Sequence, residues 1–181
     1  KMLLMQGVCS AFKPSGVHWL AYANKNAAST LIVYDVNARP TLIEDMKAHR
    51  RLVADWAQTS SVIKISDADR DIVYPGKSIQ KVGNGFLDKG TALVVETRGG
   101  ASTRVVSRHG LQRFPIPKLS GLTNTVGAGD NFIAGLTLAF AEAGIFTTAQ
   151  MVEISREDIA GFVQQAVTTA GDYLRRQNNL A

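Results

Sequence analysis

Apolar segments of strand length alternate with segments of helical spacing along most of this chain, and that alternation is its strongest structural constraint. The strand-type segments are short and rich in β-branched residues, as in strands buried on both faces. The predicted strands cover residues 2–8, 30–35, 60–66 and 92–97, followed by a hairpin at His109-Gly110. The predicted helices cover residues 14–28, 43–57, 67–74, 78–87, 128–143 and 156–176. This alternation predicts a three-layer α/β/α fold with a mostly parallel central sheet.

The composition favours a globular protein with one hydrophobic core. The chain has 181 residues, of which 45% are apolar and 19% charged, and we expect residues 1–181 to form a single domain. No apolar run approaches the roughly 20 residues of a membrane span, and the apolar start is too lightly charged for a signal peptide. Cys9 is predicted to be a buried hydrophobic residue, and as the single cysteine it excludes a disulfide framework. We therefore expect a cytoplasmic protein without a membrane partner.

The charge pattern argues against a nucleic-acid interface. The net charge is +5, but the basic residues are scattered instead of forming one patch. Scattered charge is typical of a solvated surface, and a modest positive field also suits an anionic ligand. Trp19 and Trp56 lie at helix-face positions and are predicted to belong to the core.

Polar clusters follow three of the predicted strands, and a glycine-rich loop precedes the first of the last two predicted helices. These segments are residues 35–39, 66–69 and 97–100, together with the loop at Gly127. In open α/β sheets, ligands bind beyond the carboxyl ends of the strands. We therefore expect Asn37, Ser66, Gly99 and Gly127 to gather at one edge of the sheet.

The segment NTVGAGDNF, residues 124–132, begins a long apolar helix with small residues where a capping side chain is usual. A helix N-terminus carries unpaired N–H groups and a partial positive charge, and Gly127, Ala128 and Gly129 would let an anion approach them closely. Asp130 then stands beside that anion, in a position suited to acid–base chemistry. Alternatively, the glycines form a tight loop and Asp130 only caps the helix. Spacing alone leaves both interpretations open.

Four segments, in order along the chain, resemble the ribokinase-like carbohydrate kinases, the phosphofructokinase-B family. The segment NTVGAGDNFIAGL resembles the family signature D-T-x-G-A-G-D. The other three are VYDVNARPTLI, similar to a D-x-N-x-R-P segment, VIKISDADRDIVYPG, similar to K-x-S-x-x-E, and LVVETRGGAST, similar to a T-x-G nucleotide turn. The resemblance is strongest to bacterial fructokinases and 2-keto-3-deoxygluconate kinases, and it implies a ribokinase-like fold.

The resemblance implies that a sugar hydroxyl attacks the terminal phosphate of ATP bound with Mg²⁺. Asp130 matches the catalytic base, and Gly127, Ala128 and Gly129 match the anion hole. The residues that match nucleotide-binding positions are Lys64, Ser66, Thr97, Gly99 and Thr125. Asn37 and Arg39, with Asp130, match positions facing the substrate. Asp69 matches an acidic residue that organises Mg²⁺ through water, as suits a hard ion that keeps its waters.

Two positions depart from the family pattern. Asn124 stands where relatives carry an aspartate that contributes to a monovalent-cation site, and asparagine keeps an oxygen but loses the charge. The resemblance therefore does not extend securely to dependence on potassium. Asp69 is one methylene shorter than the usual glutamate, which weakens its assignment to a metal.

Family members are longer, and their sugar-binding glycines and β-sheet lid would precede the segment MLLMQG. We therefore expect this chain to be the carboxyl-terminal, nucleotide-binding part of a kinase without the lid, which leaves open whether it is active on its own. An uncovered sheet edge invites association, so we also expect a homodimer or a partner chain at that edge.

Two other function classes compete with a sugar or sugar-acid kinase. The first is a nucleotide-binding module without catalysis, which a chain this short permits. The second is a dinucleotide-binding oxidoreductase, which the sequence disfavours because no G-x-G-x-x-G follows the first strand. Within the kinases, the D-x-N-x-R-P segment favours fructose or 2-keto-3-deoxygluconate over ribose or adenosine.

Overall fold

The computed structural model describes residues 1–12 and 14–179 and shows a six-stranded sheet with helices on both faces. The strands are β1 (Met2–Gln6), β2 (Leu31–Asp35), β3 (Val62–Ser66), β4 (Leu93–Arg98), β5 (Ser102–Ser107) and β6 (Gly110–Pro115). They lie in that spatial order; β1 to β4 are parallel, whereas β5 and β6 continue the sheet as an antiparallel hairpin. The predicted three-layer fold is confirmed, as is the hairpin at His109-Gly110.

The helices form the two outer layers. They are α1 (Gly7–Ala11), α2 (Ser15–Asn26), α3 (Met46–Thr59), α4 (Asp67–Val73), α5 (Ile79–Leu87), α6 (Ala128–Glu142), α7 (Thr148–Glu153) and α8 (Arg156–Gln177), with a 3-10 turn at Pro40–Leu42. Helices α2 to α5 pack on one face of the sheet, and α6 to α8 pack on the other. Within the described residues, no helix is long and apolar enough to cross a membrane.

Alternate residues of the buried strands supply both cores, which explains why these strands read as continuous apolar runs. In β2, Ile32 and Tyr34 point to the α2–α5 face, and Leu31 and Val33 point to the α6–α8 face. Tyr34 stacks on Trp56 of α3, with ring centroids 5.1 Å apart. The central strands are therefore covered on both sides by helices.

Side-chain caps determine where several helices begin. Asp45 has an extended backbone and accepts from the N–H of Lys47 at 2.8 Å, so α3 starts at Met46 and not at residue 43 as predicted. Ser66 and Ser155 each form a reciprocal capping box with the aspartate three residues later, at the starts of α4 and α8. The end of β3 is thus joined directly to α4.

The structure corrects three predictions near the amino-terminal edge of the sheet. The first strand ends at Gln6 because Gly7 begins α1. Gly7 packs so closely against the chain just after β2 that a Cβ there would lie 1.9 Å from the carbonyl oxygen of Val36. Cys9 is exposed instead of buried, and Trp19 is 44% exposed, whereas Trp56 is fully buried as predicted. Cys9 and Trp19 belong to α1 and α2, beside the outermost strand, where no other element of the described chain covers them.

Helices α6 and α8 pack antiparallel along their length, and this packing fixes the start of α6. A Cβ on Gly135 would lie 2.6 Å from Oγ1 of Thr169 and 3.0 Å from the Cα of Ala166. Nearer the other end, the rings of Phe140 and Phe162 meet edge to face at 5.2 Å. The N-terminus of α6 is therefore held by the carboxyl-terminal half of α8.

Gly135→Ala is expected to destabilise the fold by about 1–3 kcal/mol, because the added methyl group overpacks the contact with α8. Gly85→Ala is the matched control, since Gly85 is also helical but a Cβ there would meet nothing within 4 Å. The control should stabilise by about 0.5–1 kcal/mol through helix propensity. Urea denaturation measures both, and equal effects would contradict the close packing of α6 on α8.

Candidate active site at the carboxyl edge of the sheet

The sheet register brings the predicted polar clusters to one edge. Gln6, Asp35 and Lys64 are neighbours in register across β1, β2 and β3. Two residues further along β3, Ser66 lies beside Thr97 of β4, and Gly99 follows directly after that strand. The predicted gathering at a single edge is confirmed.

A hydrogen-bond chain joins the loop after β2 to the start of α6. The side-chain amide of Asn37 donates to Oε1 of Gln6, and Nε2 of Gln6 donates to Oδ1 of Asp130 at 3.1 Å. Asn37 has a positive φ of 35°, an uncommon conformation for a residue other than glycine and one found at functional sites. Within the described residues, Oδ2 of Asp130 makes no hydrogen bond. One carboxylate oxygen is thus oriented by Gln6, and the other is available.

The glycine loop presents backbone donors beside that carboxylate. Gly127 is left-handed, with φ 84°, and acts as the residue before α6. The N–H of Ala128 donates to the carbonyl of Thr125 at 3.2 Å, so this predicted anion donor is engaged in a turn. Within the described part of the chain, the N–H groups of Gly127, Gly129 and Asp130 have no hydrogen-bond partner. These free donors, at the positive end of α6, can bind an anion.

A buried ion pair lies beneath this loop. The ammonium group of Lys64 is 3.1 Å from Oδ1 of Asp35, and the two residues are 5% and 1% exposed. A Cβ on Gly129 would lie 3.4 Å from Nζ of Lys64, so the absence of a side chain at Gly129 brings the loop backbone close to that charge. The partner of the Asp35 carboxylate is therefore Lys64. Lys64, although paired with Asp35, places an ammonium group close beneath the loop N–H groups.

The carboxyl group of Asp35 makes stability depend on pH. Its pKa is raised from the ordinary 3.8 to about 6. Burial is the main cause, Lys64 lowers the pKa, and Asp69 and Asp130 raise it. The folded state therefore holds the proton more tightly, and its stabilisation is complete below pH 4 and lost as pH rises through 6.

Asp35→Asn is expected to remove this dependence. Between pH 4 and pH 7 the free energy of unfolding of the variant should rise relative to wild type by up to about 3 kcal/mol, the equivalent of a two-unit shift in pKa. Chemical denaturation across this range gives the measurement. Asp88→Asn replaces an exposed acid at the end of α5, and its free energy of unfolding should vary with pH as that of wild type does. If the free energy of unfolding of Asp35→Asn also varied with pH as in wild type, the pKa of Asp35 would not be perturbed.

Asp69 holds two loops together. Its Oδ1 accepts from the N–H of Ala38 at 2.9 Å, and its Oδ2 accepts from the N–H and hydroxyl of Ser66. These bonds account for its burial and tie the loop after β2 to the start of α4. Within residues 1–12 and 14–179, no cluster of three or more His, Cys, Asp or Glu residues is placed to hold a metal. Any contact of Asp69 with Mg²⁺ would therefore be a second role.

The other predicted site residues lie at the rim. Thr97 is half-buried at the end of β4, and Gly99, with φ 51°, forms the exposed turn into β5. Thr125 is exposed, with its carbonyl in the turn to Ala128. Arg39 is exposed before the 3-10 turn, and in the described residues its side chain forms no ion pair or hydrogen bond. Arg39 is therefore not joined to the central group.

Three site residues were not identified from the sequence. Gln6 orients Asp130, Tyr173 of α8 lies against the loop so that a Cβ on Gly127 would be 2.7 Å from its hydroxyl, and Asn178 binds the backbone before the loop. Gln6 ends a predicted strand at the ligand-binding edge, and this position was a usable signal. No sequence signal pointed to Tyr173 or Asn178.

The fold is that of known sugar kinases. It superposes on a solved structure of a fructokinase from Xylella fastidiosa with bound ATP, with a TM-score of 0.86 and 16% identity, over 98% of this chain and 56% of that one. Among curated proteins, a fructokinase from Rhizobium leguminosarum bv. trifolii is 28% identical over 144 residues. An aminoimidazole riboside kinase from Salmonella typhimurium is 28% identical over 146 residues.

A family profile described as pfkB family carbohydrate kinase matches residues 1–175. The chain therefore belongs to the pfkB family of carbohydrate kinases. The two curated relatives are matched over 80% of this chain but only 44% of their own length. The chain thus spans less than half of each.

Proposed function

We propose that the protein carrying this chain transfers a phosphoryl group from ATP to a hydroxyl group of a sugar or sugar acid, with Asp130 as the general base. One observation carries the proposal: the carboxylate of Asp130 stands at a helix start whose free N–H groups lie above the buried ammonium of Lys64. Phosphoryl transfer needs both features, a proton acceptor and fixed positive charge around the moving group.

In this mechanism, ATP bound with Mg²⁺ supplies the phosphoryl group. Asp130 accepts the proton of the attacking hydroxyl group on its free oxygen, while Gln6 holds the other oxygen in place. The N–H groups of Gly127 and Gly129, with Lys64, stabilise the negative charge that accumulates during transfer. The start of α6 and the buried ion pair with Asp35 hold these groups in place, so little reorganisation is required.

The nucleotide is proposed to lie along the carboxyl ends of β3 and β4. Lys64 and Ser66 are nearest to the phosphates, Thr97 and Gly99 form the turn beside the nucleotide, and Thr125 precedes the anion loop. The neighbouring register of Ser66 and Thr97 supports a shared site. Mg²⁺ would be held mainly by phosphate oxygens and water, with Asp69 contributing through water. A protein that uses ATP in this way would act in the cytoplasm.

The acceptor is proposed to be fructose or 2-keto-3-deoxygluconate, bound near Asn37 and Arg39. Asn37 is linked through Gln6 to Asp130, which supports a substrate position close to the base. Arg39 is exposed and unpaired within the described residues, so its guanidinium group can bind a carboxylate in bidentate fashion. The similarity to an aminoimidazole riboside kinase makes a riboside the second candidate.

Calorimetry and a coupled assay test this proposal on the full protein that carries the chain. We expect ATP with Mg²⁺ to bind, and fructose or 2-keto-3-deoxygluconate to be phosphorylated faster than ribose, adenosine or aminoimidazole riboside. ATP binding with no acceptor phosphorylated would favour the nucleotide-binding module, and absence of ATP binding would refute both. The 181-residue chain assayed alone tests the expectation that it binds nucleotide but turns over poorly.

The outer edge of β1 is proposed as an association surface, for a second copy or a chain segment that completes the sheet. Within the described chain, its strand hydrogen bonds are unpaired on that side. Trp19 and Tyr22 line a groove of about 790 Å³ beside β1, and Leu4 of β1 and Val17 of α2 are also exposed. Exposed edges with apolar side chains pair readily. Sedimentation should show association of the 181-residue chain that Leu4→Lys reduces and Leu138→Lys, on α6, does not; a wild-type monomer would contradict the proposal.

A further inference from the structure

The side-chain amide of Asn178, at the end of α8, binds the backbone just before the glycine loop. Its Oδ1 accepts from the N–H groups of Thr123 and Asn124, both at 2.9 Å, and from the hydroxyl of Thr123 at 3.0 Å. Its Nδ2 donates to the carbonyls of Asn124 at 2.9 Å and Leu174 at 2.8 Å. Both amide hydrogens and the amide oxygen are therefore used, and the opposite orientation of the amide would set oxygen against oxygen.

The loop is held by α8 at a second point as well. Tyr173 lies against Gly127, five residues before Asn178 on the same helix. The entry to the loop and its left-handed glycine are thus both positioned by one rigid element. Because the anion donors follow within a few residues of Gly127, the placement of α8 determines where they point.

The family resemblance implies a monovalent cation beside position 124, and the residues present do not fit one. Such a cation needs free oxygen ligands, but the carbonyl of Asn124 accepts from Asn178 and the Oδ1 of Asn124 accepts from the N–H of Val126 at 2.9 Å. The side chain at 124 carries no charge to offset the desolvation of an ion. The amide hydrogens of Asn178 also present positive charge to the carbonyl that a cation would use.

We propose that Asn178 is a positioning residue that fixes the glycine loop without a monovalent cation, so that the loop geometry and nucleotide binding of this protein are independent of potassium. The part of the inference that concerns nucleotide rests on the proposed function. The part that concerns the loop does not, because the hydrogen bonds of Asn178 involve only residues of the chain itself.

Hydrogen–deuterium exchange without nucleotide tests the loop directly, in potassium chloride and in tetramethylammonium chloride at equal ionic strength. The amides of Thr123 and Asn124 in the wild type should exchange at the same rate in both salts. Asn178→Ala should speed their exchange about fivefold or more in both, as expected for losing at least one net hydrogen bond. Asn179→Gly, one residue further on and with a φ of 52° that suits glycine, should behave as wild type.

Asn178→Asp provides the sharpest contrast. It keeps the oxygen that accepts from Thr123 and Asn124, loses both donors, and sets a carboxylate against two carbonyls. We expect fast exchange in tetramethylammonium and protection in potassium, because the cation now offsets that repulsion. Amides of β3 serve as an internal reference for global stability. If Asn178→Ala fails to fold, wild type is compared with Asn178→Asp instead, and loop exchange of that variant in tetramethylammonium as slow as in wild type would contradict the inference.

Calorimetry with a non-hydrolysable ATP analogue and Mg²⁺ gives the second readout. Wild-type affinity should agree within about twofold between the two salts, and Asn178→Ala should bind about fivefold or more weakly. Stronger loop protection or affinity in potassium for the wild type would overturn the inference, as would unchanged loop exchange in Asn178→Ala. Failure of the wild type to bind the analogue in either salt would refute the proposed function, while the exchange data would still decide the role of Asn178.

Discussion

Asp130→Asn is expected to lower turnover about 10²–10⁴-fold and to leave the affinity for nucleotide nearly unchanged. Asparagine has the same size and retains an oxygen that accepts from Nε2 of Gln6, so the start of α6 should keep its geometry. The variant loses the ability to take a proton from a sugar hydroxyl, together with one negative charge. General-base catalysis is worth about that factor, or on the order of 3–5 kcal/mol of barrier.

Single-turnover kinetics on the full protein shows whether Asp130 acts as a general base or only caps helix α6. Asparagine caps a helix about as well as aspartate, so a residue that only caps would leave the phosphoryl-transfer rate unchanged when replaced. That outcome would remove the assignment of Asp130 as the base. Asp88→Asn controls for the loss of one negative charge, because Asp88 is exposed at the end of α5; its rate should match wild type.

Gly127→Val is expected to weaken nucleotide binding at least about tenfold and to destabilise the protein by about 1–3 kcal/mol. A β-branched residue is strained at φ 84°, at a cost of that order, and its Cβ would lie 2.7 Å from the hydroxyl of Tyr173. Either the loop or Tyr173 must move, and a moved loop no longer presents its N–H groups in the same direction.

Gly144→Val is the matched control for backbone strain. Gly144 also has a positive φ, 70°, but a Cβ there would meet nothing within 4 Å, and it lies beyond the other end of α6. It should lose comparable stability and bind nucleotide as wild type. Isothermal titration on both variants compares the affinities, and if Gly127→Val bound nucleotide normally, the loop would not be the anion site.

Much of the fold could be predicted from local patterns in the sequence. The β-branched runs at residues 30–35 and 92–97 are typical of strands in a sheet that is covered on both faces. His109-Gly110 indicates a turn between two segments of alternating polarity. The carboxyl-edge rule then placed Asn37, Ser66 and Gly99 together without knowledge of which strands are neighbours. Ser66 and Asp69 also have the spacing of a capping box, although the resemblance had pointed to a metal for Asp69.

The rest depends on contacts between residues far apart in the chain. Gln6 and Asp130 are 124 positions apart, and Asn178 and Asn124 are 54 apart, so no spacing rule connects them. The prediction that Trp19 belongs to the core was wrong for a similar reason. Helical periodicity shows which face of a helix is apolar, but it does not show whether another element covers that face. At the outer edge of β1 nothing within the described chain does.

The strand order of the sheet has a consequence for synthesis on the ribosome. Each strand pairs with the one made just before it, so the sheet can grow in step with translation. The partners in the parallel strand pairs are only about 30 residues apart. Helices α6 to α8 come last, and until they emerge the face that carries Leu31, Val33 and Val95 has no cover. At about 5–20 residues per second this exposure lasts several seconds. A nascent chain stalled before residue 128 should therefore be a chaperone substrate, although its sheet is already paired.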